Sequence, residues 1–354
     1  AAAMMDPSTS GVTYSYPKEA PILTLDDAIA KKSFFQGTHA NLLERLEGPY
    51  TDIDQALAAC PRTWSGTVRT AGQRHFYLET QRAVVTPTEN GGLHVRSSTQ
   101  GPTTVGKYVA KVTGLQTHEV ECEQVRAGGG FGGKLTRNLP IACSAAVAAV
   151  TLNAPIQYVL DRVEDQKATG GREPMRMDID VGYDEKGNII AFKLFLFMNG
   201  GWSIDGTFGD LDMGTYWSDN AYHVPNFHVE SKACRTNTPT NTSMRAPGVL
   251  HATLAIETAM DHVASSLSLN PTTIRSMNFV KVGDVTPYGQ TLKYVSLDKC
   301  WSQTSLVCTE LSKECKTFNA ANRWVKRSVA MTPCKYGIGW GGTFSGSVVS
   351  VYGR

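Results

Sequence analysis

Gly128-Gly-Gly-Phe131-Gly-Gly-Lys134 sets five glycines around one phenylalanine. Glycine is required where φ must be positive or where backbone must come close to a ligand. Val120 to Val125 reads as a strand running into this loop, and Leu139 to Leu152 as a helix following it. Such a turn aims backbone N–H groups at its occupant, so the expected guest is anionic or rich in hydrogen-bond acceptors. Taken alone, the glycines are explained equally well by a bare tight turn.

Two nucleotide readings fail on the neighbouring residues. Gly128-x-x-x-x-Gly133-Lys134 follows a phosphate-binding loop as far as the lysine, but Leu135 stands where Ser or Thr would hold magnesium. A dinucleotide fingerprint would need an acidic residue about 20 positions further on, and none is suitably placed.

The chain has 354 residues, room for about two domains of roughly 150 residues each. With 41% apolar and 19% charged residues it reads as a globular protein; a net charge of +2 argues neither for nor against nucleic acid, but there is no Lys/Arg run or basic stripe for a phosphate backbone, so no nucleic-acid partner is expected. Its eight cysteines form no CxxC pair, which argues against zinc or iron–sulfur ligation by this chain. Ala1 to Ser10 lacks the basic end and apolar stretch of a secretory leader, so reduced thiols in the cytoplasm are expected. Leu139 to Leu152 is too short to span a bilayer, where about 20 residues are needed, and is expected to be a buried core helix; no membrane segment is expected.

Along the chain, residues 1–11 are expected to be disordered and Val12 to Tyr16 a lone strand. Thr24 is a plausible N-cap for a short helix. Alternating segments follow at 64–71, 75–85 and 93–98, the last two joined by a hairpin turn at Glu89-Asn-Gly-Gly92. Gly106 to Leu115 is helical, with Val105, Tyr108, Val109 and Val112 on one face. A second hairpin joins 177–181 to 189–198. Leu250 to Leu267 is a helix directing Leu250, Leu254, Met260, Val263 and Leu267 inward, ended by Asn270-Pro271. Strands and helices mix without a strict βαβ repeat, so the fold class is α+β.

The glycine loop is one of five motifs that occur in order. The others are Gln73-x-His75-Phe-Tyr-Leu-Glu-Thr80, Ser98-Thr-Gln100, Asp161-Arg-x-Glu-Asp165 with Gly170-Gly-Arg172-x-Pro174, and Thr236-Asn-x-Pro-x-Asn-Thr242 followed by Arg245. Together they resemble the molybdenum hydroxylases of the xanthine dehydrogenase/aldehyde oxidase family, from about Val12 to the end of the chain. The resemblance implies the first molybdopterin-binding domain of that fold over 60–354, incomplete at its C-terminus, preceded over 12–59 by the end of a hammerhead-like domain and a connector.

In that family a molybdenum held by a pterin dithiolene hydroxylates an electron-poor carbon, hydride passing to its sulfido ligand, and no protein atom coordinates the metal. Electrons leave through 2Fe-2S clusters to FAD, and the full-length enzymes are expected to be homodimers. Carried over, Gln100 hydrogen-bonds a ligand of the metal, Gly130, Phe131 and Gly132 place backbone amides beside the centre, and Arg245 lies near it. His75, Tyr77 and Glu79 are given a packing role.

Substrate positions depart from the purine-oxidising pattern. Leu135 stands where those members carry a Glu that bonds the heterocycle, and Ala246-Pro247 replaces the Gly-Phe after the metal-site arginine. Arg172 is retained and could pair with an oxygen or carboxylate of a substrate. Trp340 could supply an aromatic wall. The expected substrate is therefore an aldehyde or a purine-like heterocycle. The family's base, a glutamate in a Gly-Glu-Pro segment, lies beyond Arg354 in relatives, so no catalytic residue is assigned here; Glu173 and Glu257 are given structural or helix-surface roles. Two functions follow from the resemblance: a portion of a molybdenum oxidoreductase, inactive in isolation, or a non-catalytic remnant that keeps the fold.

Overall fold

The computed structural model describes residues 18–37 and 41–337, together with Ser15 and Val351. The expected disordered start, most of the Val12 to Tyr16 strand and Trp340 lie outside the described residues.

The elements follow in order: α1 (Leu25–Ala30), β1 (Leu42–Arg45), α2 (Ile53–Ala58), β2 (Arg62–Thr70), β3 (Arg82–Pro87) and β4 (Leu93–Ser97). Then come α3 (Pro102–Thr113), β5 (Val120–Glu123), α4 (Leu139–Leu152), β6 (Ile156–Val159), α5 (Arg162–Ala168), β7 (Met175–Tyr183) and β8 (Ile189–Gly201). The described part closes with α6 (Thr207–Trp217), β9 (Asn226–Arg235), α7 (Val249–Ser266), α8 (Pro271–Met277) and α9 (Leu297–Ala321). The fold is α+β, with two sheets in the orders β1-β9-β8-β7-β2 and β5-β4-β3-β6.

The larger sheet owes its core to period-two patterning. Met175, Met177, Ile179 and Val181 of β7 all turn to the buried face, as do Leu194, Leu196 and Met198 of β8. Helix α7 covers that face with Ala252, Ala255, Ile256, Ala259, Met260 and Val263. Leu250 and Leu254, expected inward, are 47% and 41% exposed. A row of small residues lets the helix approach the sheet closely, and the bulkier leucines fall on the other side.

The smaller sheet packs against α3 and α4. Helix α4 buries Ile141, Ala142, Ala145, Ala146 and Ala149, but Val147, Val150 and Leu152 face outward, so it is half-buried, contrary to expectation. Helix α3 begins at Pro102, earlier than the spacing suggested, and buries Val105 and Val109 but leaves Tyr108 and Val112 exposed. The hairpin at Glu89 to Gly92 joins β3 to β4 as expected. The expected strand from His75 is a strand only from Arg82; residues 73–81 are irregular, with Phe76 at positive φ. Their side chains serve the site below instead of a ladder.

Strand direction places that site. β4 and β5 run parallel, so both deliver their C-terminal ends, at Ser97 and Glu123, to one edge. In the larger sheet β8 and β9 are parallel and β7 antiparallel to β8, which gathers the start of β7 with the ends of β8 and β9. Thr24 caps α1 as expected, its side chain accepting from the Asp27 N–H. No helix among the described residues is long and apolar enough to cross a membrane.

Leu194 is fully buried in the central strand β8. Leu194→Ala is expected to lower unfolding free energy by about 2–5 kcal/mol, read from urea denaturation, because the site cannot collapse around the lost methyl groups.

Candidate functional site

The glycine loop leaves β5 and is anchored by one carboxylate. Oε2 of Glu79 accepts from the Gly128 N–H at 2.9 Å, the Ser98 hydroxyl at 2.8 Å and the Lys134 ammonium at 3.0 Å. Lys134 is fully buried and its ammonium also lies 4.6 Å from the centre of the Tyr77 ring. The lysine that suggested a phosphate-binding loop is therefore committed inside the protein. Burial would raise the Glu79 carboxyl, but donation from Gly128, Lys134 and Ser98 outweighs it and brings the pKa down to about 2.

The loop's amides have an occupant that belongs to the chain. Oε1 of Gln100 accepts from the Gly132 N–H at 2.9 Å and the Lys134 N–H at 3.2 Å, and the Gln100 N–H donates to the Lys134 carbonyl at 2.8 Å. Two fixed N–H donors decide which way the Gln100 amide is turned: its oxygen faces the loop, so its Nε2 faces away as a donor. Gly130 makes room for this, because a Cβ there would lie 2.5 Å from Gln100 Oε1. Gly132 has φ +99°, and a Cβ on it would meet the Ser243 carbonyl oxygen at 2.2 Å. Phe131, between them, is itself at φ 55° and holds its ring 45% exposed. A bulky residue in that region is strained and persists only where its surroundings fix it.

Those surroundings are the turn that follows β9. The Arg245 N–H donates to the Phe131 carbonyl at 2.9 Å, tying the two segments backbone to backbone. The Ser243 hydroxyl donates to Asp210 Oδ1 at 2.6 Å, and its carbonyl accepts from His75 Nε2 at 2.9 Å. Burial pulls the His75 pKa down, so the ring is neutral and carries its proton on Nε2. Gln100, Gly130, Phe131, Gly132 and Arg245 are thus brought together. The Arg245 side chain is exposed and forms no hydrogen bond or ion pair among the described residues. Leu135 is 43% exposed just beyond the loop, and Pro247 is half-buried two residues after Arg245.

Arg172 is taken up by backbone carbonyls of the Arg245 turn. It is 5% exposed, and its guanidinium donates to the carbonyls of Met244 at 3.3 Å, Arg245 at 2.7 Å and Ala246 at 3.2 Å, and to Gln73 Oε1 at 3.1 Å. Its fork holds the turn that carries Arg245.

Sequence reasoning missed most of the scaffolding. Tyr77 donates to Asp165 Oδ1 at 2.7 Å, the Gln81 N–H to Asp165 Oδ2 at 2.7 Å, and Gln81 Nε2 to the Gly133 carbonyl at 2.8 Å. The motifs around 73–80 and 161–165 therefore brace the loop. The available signal was a lysine and acidic residues lying within motifs that fold close together.

A glycine loop closed by a glutamine and joined to an arginine-bearing turn, on an α+β frame, defines a cofactor-binding domain unlike a nucleotide fold. Residues 34–279 match the family described as the molybdopterin cofactor-binding domain, and the chain belongs to that family. It is 37% identical over 347 residues to xanthine dehydrogenase 1 of Arabidopsis thaliana, covering 96% of this chain and 25% of that protein. It is 34% identical over 340 residues to a nicotinate hydroxylase of Emericella nidulans, covering 94% and 25% respectively. The chain thus spans about a quarter of the length of these relatives. The fold is shared with the aldehyde oxidoreductase of Desulfovibrio desulfuricans, at TM-score 0.76 and 20% identity over 88% of this chain and 35% of that one. It is shared too with quinoline 2-oxidoreductase of Pseudomonas putida, at TM-score 0.74 and 21% identity over 87% and 40%.

Glu79→Gln leaves the buried Lys134 ammonium without its counter-charge. The expected loss is about 3–5 kcal/mol at neutral pH. Because the Glu79 pKa is lowered on folding, its contribution is complete above the ordinary carboxylate range and fades as pH falls toward 2. The difference between the two proteins in chemical denaturation should therefore shrink on acidification.

Proposed function

We propose that this chain forms one side of the molybdenum centre of a hydroxylase that oxidises aldehydes or nitrogen heterocycles at an electron-poor carbon. The observation that carries the reading is the locked Gln100 amide, its Nε2 turned outward beside the half-exposed Phe131 and the exposed Arg245. The donor set fits a molybdopterin group: a neutral amide donor and a cation, with no metal-ligating cluster among the described residues. When bound, that group would supply the two-electron oxidation that couples water to the substrate carbon.

The chain's own residues then have defined tasks. Gln100 would hold the bound group by donating from Nε2, adding no charge. Arg245, without a counter-ion among the described residues, would hold the bound group by offering it a positive charge. Arg172 sets the position of Arg245 through three carbonyls. Phe131, Leu135 and Pro247 offer an apolar wall to the substrate. With Leu135 apolar and Arg172 occupied, a substrate needing few polar contacts fits this wall better than a purine, whose buried polar groups would be left unpaired.

The base is expected from outside this chain. Glu257 is taken up by Arg275 Nε and the Tyr222 hydroxyl, both at 2.6 Å, and by Asn220 Nδ2 at 2.9 Å, a buried structural role and not a helix-surface one. By extension from the family, the whole enzyme carries 2Fe-2S clusters and FAD and acts as a cytoplasmic homodimer; the eight free thiols are in keeping with a reducing compartment.

Arg245→Ala is expected to lower turnover by about 10²–10³-fold with circular dichroism unchanged, since a charge aimed at the reacting centre is removed. Unaltered turnover would sink the assignment, and a folded intact protein that never takes up molybdenum would favour a non-catalytic role. Leu135→Glu is expected to shift the ratio of xanthine to aromatic-aldehyde turnover toward xanthine, by roughly tenfold for one regained hydrogen bond to a charged group.

A further inference from the structure

Behind the Arg245 turn lie two acids that the site described above does not use. Glu173 lies two residues before β7 and Asp210 stands in the first turn of α6; they are 1% and 3% exposed. Neither forms an ion pair among the described residues. The nearest cation, Arg172, is directed at the carbonyls of residues 244–246. The two carboxyl groups lie close enough to interact with each other, and Thr207 Oγ1 donates to Glu173 at 3.4 Å. Asp210 Oδ1 takes the Ser243 hydroxyl, while Oδ2 is buried with no donor from any N–H or hydroxyl. Two carboxylates in contact in a dry interior cannot both be ionised. A proton between them supplies the donor that is otherwise missing.

We infer that Glu173 and Asp210, joined by one shared proton, are a positioning pair that holds Ser243 and through it the Arg245 turn against the glycine loop. Ser243 is the meeting point: Asp210 takes its hydroxyl, His75 its carbonyl, and that same carbonyl lies over Gly132. Helix α6 also braces the far end of the turn, since a Cβ on Gly248 would lie 1.8 Å from the Asp210 carbonyl oxygen. The significance of the pair for the molybdenum centre rests on the reading proposed above, whereas its role in holding the turn does not.

The pair makes the turn sensitive to pH. Burial, reinforced by Asp210, pushes Glu173 well above the usual carboxyl range, and burial raises Asp210 to about 6. The other ionisable groups facing them are Asp205, which is paired with Arg137, then Arg172 and the neutral His75. His251 at the start of α7 is fully buried, has both ring nitrogens without a partner among the described residues, and is held near 4 by burial and by Arg172. Carboxyls raised on folding stabilise the protein fully below their ordinary range and lose that contribution as pH rises through the folded values. As pH rises through about 6 Asp210 gives up its proton first while Glu173 keeps its own and donates it across; loss of that last proton at higher pH sets two negative charges against each other and loosens Asp210 from Ser243.

The test compares the intact protein with Glu173→Gln and Asp210→Asn from about pH 5.5 to 8.5. Three signals are read: the melting midpoint, the protonated-carboxyl band in the infrared, and the rate of phenylglyoxal modification of Arg245 relative to the exposed Arg323. The wild type should lose melting midpoint and carboxyl band across the interval while relative Arg245 reactivity rises several-fold. Glu173→Gln, which keeps a donor but cannot ionise, should flatten all three, and Asp210→Asn should flatten them from the other side. Ser243→Ala should keep the carboxyl band and its loss with pH but uncouple Arg245 reactivity from it. Wild-type pH slopes in both acid variants, or Arg245 reactivity that ignores pH, would overturn the inference. None of these signals requires bound molybdenum, so failure of cofactor uptake counts against the proposed function alone.

Discussion

A single carboxylate oxygen, Oε2 of Glu79, gathers a backbone amide and a buried ammonium from the two ends of the glycine loop and a hydroxyl from the segment after β4. The rest of the site depends on this. Lys134 can be buried only because Glu79 balances its charge, and burying Lys134 draws the end of the glycine loop under Gln100. Once that end is fixed, the amides of Gly132 and Lys134 converge on one oxygen and turn the Gln100 amide outward. An ionised group therefore sets the direction of a neutral one several residues away.

The loop and the Arg245 turn restrain each other through backbone. Phe131 and Ala246 both stand at positive φ, and each is held by a neighbour: Phe131 through its carbonyl to the Arg245 N–H, Ala246 through its carbonyl to Arg172. Strain of this kind persists only when the surroundings over-determine it. Here the surroundings are buried charges and fixed carbonyls, which leave little freedom to relax. The side chains left pointing outward, Gln100, Phe131 and Arg245, are those without an internal task for the atoms they present.

The frame explains why segments far apart in the chain meet. Parallel pairing of β4 with β5 brings Ser98-Thr-Gln100 and the glycine loop to one edge. The β7–β8–β9 arrangement brings Arg172, Glu173 and the 243–248 turn together. Helices α4 and α7 approach their sheets along alanine-rich faces, a packing that outweighs the pull of their larger apolar residues and leaves Leu152, Leu250 and Leu254 in the open.

What the sequence determined by itself was local or motif-bound: the α+β class, both hairpins, the Thr24 cap, the glycine loop, and the grouping of Gln100, Phe131 and Arg245. Each depends on short-range chemistry, such as turn residues, period-two alternation and glycine at positive φ, or on motifs dense enough to be matched in order. Tertiary structure alone decided how charges and donors are shared. Nothing in the chain near Arg172 says that its fork will close on three carbonyls, or that Lys134 will be neutralised by Glu79. The loop that first read as a cradle for an outside guest has the Gln100 oxygen as its occupant. Partners chosen across long sequence separations follow from which strand ends meet and which groups are desolvated there, and only the folded arrangement fixes both.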